Sequence, residues 1–445
     1  MNSPDPGAAP APLRRNRSFR VLWSGYFAAQ LGTGMGAVAY PVVILEVGGT
    51  PALTGVITFA AGTAAVAARL PCGAAADRYD RRRLMFGAQM TRAAAMGTLA
   101  VGLFTGSSWV LWLVAAVAVV DTVGHEAYRF AERAALRHIV HQEQLPDAVG
   151  QNEARNQVAA LIGPALGGWT LALGRSVPFG LAALGHLLSG LGLFLIRERL
   201  QTARDGAAAR RPGLRDLRPA FTWIAGRPEI RVLLLGCVAP NLVVGGVTLA
   251  VIMRAGQEGA GGPQIGTVLA VAGLGGGVGA LAAPRLMRSL SPRTLYLSVL
   301  WALPPMVLAL APLAGHWSVV FPLAVILACA PMVNVLLGTY QLLTAPDHLQ
   351  ARVGSACTLI TGLAAPLGPL IAGFGLQYGG VLPLFAAFAA FLGLVATLIS
   401  LMPSSRLLAN LPDGRHVPVS PMTLSDRTGK RNNENHRYRH GGTHN

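Results

Sequence analysis

Apolar runs of about 20 residues recur along the whole chain, each closed by a short polar segment. A helix rises 1.5 Å per residue, so runs of that length match a hydrocarbon core about 30 Å thick. The pattern predicts helices over 20–45, 52–72, 85–105, 109–130, 156–174 and 178–196. A second set follows over 231–253, 264–284, 294–314, 318–341, 353–376 and 380–402. The fold class expected is therefore an all-α integral membrane protein with twelve transmembrane helices. The organisation expected is a cytoplasmic N-terminal tail (1–18), a six-helix bundle (19–196), a cytoplasmic linker (197–230), a second six-helix bundle (231–402) and a disordered cytoplasmic tail (403–445).

Composition sharpens this picture. Of 445 residues, 52% are hydrophobic and 12% charged, about half the charge of a soluble domain. The mean hydropathy is +0.48. Glycine (54) and proline (30) would argue against helices in water, but in lipid neighbouring helices satisfy freed backbone groups and small residues allow close packing.

The formal net charge of +17 does not point to nucleic acid, because the arginines are dispersed between apolar runs and not gathered in one soluble domain. They concentrate at 78–83, 129–155 and 285–293, whereas Arg175 and Arg254 fall on the opposite side. That asymmetry places both termini in the cytoplasm and the chain in the cell membrane. The arginine-rich linker suits a surface of anionic lipid headgroups.

Cys72, Cys237, Cys329 and Cys357 lie in apolar segments without metal-ligand spacing, so no metal, disulfide framework or other cofactor is expected. Scattered tail histidines (His416, His436, His440, His444) do not change that expectation. No P-loop is present, and Gly275 to Ala280 matches a loose dinucleotide fingerprint only inside an apolar run with no preceding strand.

The halves echo each other. Gly163-Pro164-Ala165-Leu166-Gly167-Gly168 returns as Gly368-Pro369-Leu370-Ile371-Ala372-Gly373, 205 positions on, and Gly73-Ala74-Ala75-Ala76 returns as Gly279-Ala280-Leu281-Ala282. A duplicated six-helix unit is the simplest account, and such repeats characterise secondary transporters. The stretch Gly73-Ala74-Ala75-Ala76-Asp77-Arg78-Tyr79-Asp80-Arg81-Arg82-Arg83 resembles the loop motif of the major facilitator superfamily, with Asp80 where glycine is common. Gly163, Pro164, Gly167 and Gly168 resemble that superfamily's exporter-associated motif, and Glu132 to Arg155 is similar to the bacterial siderophore and drug exporter branch.

The resemblance implies the major facilitator fold, two pseudo-symmetric six-helix bundles. It also implies a gating role for Gly73, Asp77, Arg78, Asp80, Arg81 and Arg82, and a direction, export, for the fifth-helix motif. Simpler readings of the same residues are a charged loop that anchors topology and a tight helix seam.

Ionisable groups deep in a membrane are costly and mark candidate function. Asp121 lies halfway along the fourth run; it either faces a central cavity and carries protons or is paired with an arginine such as Arg92. Glu126, Arg129, Glu132 and Arg155 follow toward the inner face at spacings suited to ion pairs, while His186 reads mainly as packing. In the fold the chain resembles, helices one, four, seven and ten line the cavity, so Tyr26, Gln30, Asn241, Asn334 and Tyr340 become substrate candidates. Such mixed aromatic and amide surface suits an amphipathic organic molecule.

The function expected is proton-coupled export of a small molecule, with membrane lipids as partners and the monomer as the working unit. The alternatives are import or uniport on the same scaffold, and a membrane enzyme or sensor. Against an enzyme stands the lack of a convergent His/Glu/Asp set in the spans.

Overall fold

The computed structural model describes residues 12–105, 109–201, 217–314 and 316–403. Most of the N-terminal tail, much of the linker and nearly all of the C-terminal tail, including its histidines, lie outside the described residues.

The first six membrane-length helices are α1 (Arg17–Glu46), α2 (Pro51–Arg78), α3 (Arg81–Thr105), α4 (Val110–Ile139), α5 (Leu145–Leu173) and α6 (Val177–Gly192). After a short amphipathic helix, Arg218–Ala225, come α7 (Pro228–Gln257), α8 (Gly262–Ser289), α9 (Pro292–Leu313) and α10 (Val320–Thr344). Helix α11 (Gln350–Gly379) is interrupted near Pro366 and ends in a π-turn, and α12 (Val381–Leu401) closes the second set. Ten of the twelve are apolar enough to cross a membrane by composition. Helices α3 and α5 are as long, at 25 and 29 residues, but carry more polar side chains.

Local chemistry sets the helix starts. Asn16, Thr50 and Ser291 accept from the backbone N–H three residues on, and Pro51 and Pro292 occupy the first helical position, where a missing N–H costs nothing. Asp80 caps α3 by accepting from Arg83 N at 2.8 Å. Helix α5 begins eleven residues before its apolar run, because Pro146 and Asp147 open it with polar first turns outside the apolar layer.

Within the first half, α1 packs on α5 and α6, α4 on α2 and α3, and α3 on α6. In the second, α8 packs on α10, α9 on α12, and α7 on α10, α11 and α12. The halves meet chiefly along α5–α8 and α2–α11.

The two interiors differ. The second half holds one continuous apolar core, from Ile230 through Leu323 to Ile399. The first half holds two. One, around Phe19, Tyr26, Met85, Tyr128 and Leu136, sits toward the arginine-rich end; the other, around Met35, Val43, Leu99, Val114 and Phe179, sits toward the opposite end.

Candidate functional site

What divides the two cores is a buried polar layer contributed by α1, α3, α4 and α6. Arg92 Nε donates to Asp121 Oδ1 at 2.7 Å, and Arg92 Nη2 to Thr33 Oγ1 at 2.8 Å. His186 Nε2 lies 3.7 Å from Asp121, while its Nδ1 stands 3.1 Å from Gln89 Oε1. Gln89 Nε2 donates to Ser189 Oγ at 2.7 Å. Arg92, Gln89 and His186 are fully buried and Asp121 is 5% exposed. Gly124 makes room for Arg92, since a methyl there would sit 2.7 Å from Arg92 Cγ. Asp121 is thus held by Arg92, and His186 is hydrogen-bonded within the same layer.

A second cluster begins one turn further along α4. Glu126 accepts from Arg129 at 2.5 and 3.1 Å and pairs with Arg69 of α2 at 3.6 Å. Arg69 also reaches across to the second half, where its Nη1 donates to Thr358 O of α11 at 3.4 Å. Beyond it, Glu132 pairs with Arg155 at 3.5 Å and accepts from Asn152 at 3.1 Å. The buried carboxylates among the described residues are Asp121, Glu126 and Glu132, all on α4. Asp121 pairs with Arg92, Glu126 with Arg129 and Arg69, and Glu132 with Arg155, so among the described residues these ion pairs form three separate groups.

The cavity candidates divide. Tyr26 is covered on both faces: its ring stacks on Tyr128 at 5.0 Å, and the Arg155 guanidinium lies 4.2 Å from its centroid. Tyr340 is 5% exposed. Gln30 and Asn241 are half-buried and Asn334 is exposed midway along α10. The buried Gln30 Oε1 has no partner among the described residues.

Of the loop residues, Arg81 is buried and donates to Ala76 O, Ala134 O and Leu200 O at 3.2, 3.4 and 3.0 Å. Arg82 donates to Ile196 O and Glu198 O at 2.6 and 2.9 Å. These bonds tie the α2–α3 turn to α4 and to the segment after α6. Asp77 and Arg78 are exposed, and Gly73 faces the Phe130 ring of α4 at ordinary contact distance.

The repeated Gly-Pro motif has a geometric explanation. A methyl at Gly163 would lie 2.6 Å from Gly34 Cα, and one at Gly167 2.5 Å from Met35 O, so these glycines seat α5 on α1. Pro164 and Gly168 face the other way: a methyl at Gly266 of α8 would lie 2.5 Å from Pro164 O and 3.0 Å from Gly168 Cα. In the second half a methyl at Gly368 would lie 2.8 Å from Gly246 N, so this glycine seats α11 on α7, while a methyl at Gly55 of α2 would lie 2.7 Å from Pro369 O and 3.1 Å from Gly373 Cα. Each motif therefore packs its helix on its own half with one face and on the opposite half with the next.

These seams between the halves lie at the end away from the arginine-rich loops, where Ala52 N also donates to Gln377 Oε1 at 3.0 Å. Toward the arginine-rich end the same helices expose polar side chains, Gln151, Glu153 and Gln157 on α5 and Arg352, Ser355 and Thr358 on α11. Backbone-to-backbone seams join the halves at one end, whereas toward the other Arg69 reaches across with its side chain.

Sequence reasoning did not single out Arg69. Its signal was available, a lone arginine inside the apolar run 52–72, which is costly unless paired.

Known proteins resemble this chain in sequence and in fold. The sequence profile of the Major Facilitator Superfamily matches residues 22–365. "Multidrug efflux pump Tap" of Mycolicibacterium fortuitum is 25% identical over 404 residues, covering 85% of this chain and 94% of that protein. The protein of the same name from Mycobacterium tuberculosis (strain ATCC 25618 / H37Rv) is 27% identical over 454 residues, covering 93% and 97%. Among solved structures, the nucleoside transporter NupG superposes with a TM-score of 0.70 at 10% identity, covering 86% of this chain and 98% of that one. A bacterial homolog of the human lysosomal transporter Spinster, inward-facing and unoccupied, superposes with a TM-score of 0.67 at 16% identity, covering 90% and 99%. With twelve long helices in two related halves among the described residues and a profile match over most of its length, the chain belongs to the Major Facilitator Superfamily and is a multi-pass membrane transporter, not an enzyme.

Proposed function

We propose that this transporter is a proton-coupled exporter of a small amphipathic organic molecule, a drug, secondary metabolite or siderophore. It acts by alternating access as a monomer in the cell membrane, with both termini cytoplasmic. The observation that carries the reading is where the halves touch backbone to backbone, in seams along α5–α8 and α2–α11 at one end, with polar surface exposed toward the other. By the positive-inside rule the arginine-rich end is cytoplasmic, so we read this conformation as inward-facing. Rocking of the halves would open the glycine seams and close the arginine-rich end.

Export is favoured by the likeness to efflux pumps over nearly the full length of both chains. Proton coupling is favoured by the three carboxylates buried among the described residues, each of them on α4. Asp121 is the leading carrier: a proton there would release Arg92 within the polar layer and loosen α3 against α4. Gln30, Asn241 and Asn334 are the amides to which this reading assigns substrate contact, and the loop arginines Arg81 and Arg82 would brace the first half during the swing.

The test is accumulation of a panel of lipophilic dyes, antibiotics and siderophores in cells with and without the protein, repeated with a proton-collapsing ionophore. Lower accumulation that the ionophore abolishes is expected, and Asp121→Asn is expected to remove the ionophore-sensitive part. Equal accumulation for every compound would sink export; full ionophore-sensitive export by Asp121→Asn would sink the assigned carrier.

A further inference from the structure

Where α3 begins and α6 ends, at the arginine-rich face, lies a cavity of about 460 Å³ outside the transport pathway described above. Four guanidinium groups line it, from Arg82, Arg83, Arg197 and Arg199, above the rings of Phe86 and Phe194, which pack edge to face at 5.0 Å. Two carboxylates also line it, so cations outnumber acids four to two: Asp80 accepts from Arg83 N as the cap of α3, and Glu198 accepts from Ser18 Oγ. Among the described residues Arg83, Arg197 and Arg199 form no ion pair, although a protein surface carrying so many cations usually interleaves acids.

The surroundings say which anion fits. Leu184, Leu188 and Leu191 on α6, with Leu195 in the turn that continues it, make an exposed stripe at helical spacing, and the stripe leads into the cavity beside the exposed Phe194. An apolar track that ends in a cluster of unpaired guanidiniums, at the depth where a spanning helix leaves the hydrocarbon, complements a molecule with acyl chains and a phosphate head. We propose that this cavity is a binding site for an anionic phospholipid. Its phosphate is held by Arg83, Arg197 and Arg199, and its acyl chain lies along the α6 leucine stripe. Arginine suits this task because its fork of donors matches phosphate oxygens two at a time. A bound headgroup would join the α2–α3 turn, already tied to the segment after α6 through Arg82, to that segment from its outer side.

The test uses the purified full-length protein and native mass spectrometry after exposure to mixed vesicles of phosphatidylglycerol and phosphatidylcholine with identical acyl chains. The wild type is expected to retain phosphatidylglycerol selectively. Arg197→Gln with Arg199→Gln should weaken that preference about 30-fold, since each basic residue near a membrane surface contributes roughly a fivefold gain. The matched pair Arg285→Gln with Arg288→Gln, at the same face of the second half, should keep it. Both substituted sites are exposed, so gel filtration and thermal unfolding are expected to match the wild type. Equal retention of the two lipids by the wild type overturns the proposal, as does an equal loss in both variants. If millimolar inorganic phosphate displaces the lipid and protects the protein against unfolding as well as phosphatidylglycerol does, the site belongs to a free phosphate and the lipid assignment fails.

Discussion

Replacing Gly266 by alanine probes the closed end of the transporter directly. The new methyl would lie 2.5 Å from Pro164 O and 3.0 Å from Gly168 Cα, whereas unstrained contacts to carbon fall at about 3.5–4.0 Å. Both neighbours are backbone, so no side chain can rotate away and α8 must retreat from α5. Overpacking of this kind costs about 1–3 kcal/mol. Alanine also favours helix over glycine by up to about 1 kcal/mol, but the helix exists in both conformations and this gain cancels between them. The conformation closed at the glycine seams should therefore lose about 5- to 150-fold in relative population. Spin labels at Leu173 and Tyr378, exposed at that end of opposite halves, would report it as growth of a longer-distance population in double electron–electron resonance. Gly277→Ala on the same helix is the control, because a methyl there meets nothing within 4 Å. Unchanged distances in the Gly266 variant, or an equal shift in the Gly277 variant, would refute the reasoning.

Three further outcomes follow from packing and charge. Asp121→Leu strands Arg92 in a buried layer and should cost about 3–5 kcal/mol in detergent unfolding, most of it regained when Arg92→Leu is added. No recovery in the double variant would count against the pair. Tyr296→Phe removes the 2.5 Å hydrogen bond from its hydroxyl to Val232 O and should cost about 0.5–1.5 kcal/mol, while Gly236→Ala, which places a methyl on that hydroxyl, should unfold at a lower temperature still. Arg69→Gln breaks the bridge from Glu126 to Thr358 O and should lower efflux of any exported dye more than it lowers thermal stability; undiminished efflux would remove Arg69 from the cycle.

The helices were legible because lipid demands apolar runs of one length, and the duplication was legible because Gly163-Pro164 returns as Gly368-Pro369. Helix ends were less so: α3 starts at Arg81 and α5 at Leu145, in polar turns that an apolar pattern does not register. The partner of Asp121 was foreseeable as one alternative, since Arg92 stood on the adjacent run, but the choice between pairing and exposure depends on how α3 and α4 rotate against each other. The double-faced use of the Gly-Pro motif was not readable at all. Gly163 and Pro164 are neighbours in sequence, yet they touch different halves of the molecule, and only the crossing of three helices decides that.

The polar layer across the first half has a consequence for descent. Losing either Arg92 or Asp121 alone leaves an opposite charge stranded in a dry interior, so any lineage that replaces the pair must pass through a crippled intermediate. The second half, whose continuous core is apolar, imposes no such barrier and can exchange leucine for isoleucine or valine one position at a time. Relatives of this transporter should therefore hold the pair even where its original use has lapsed. Its persistence among them would record the difficulty of leaving rather than a shared cargo.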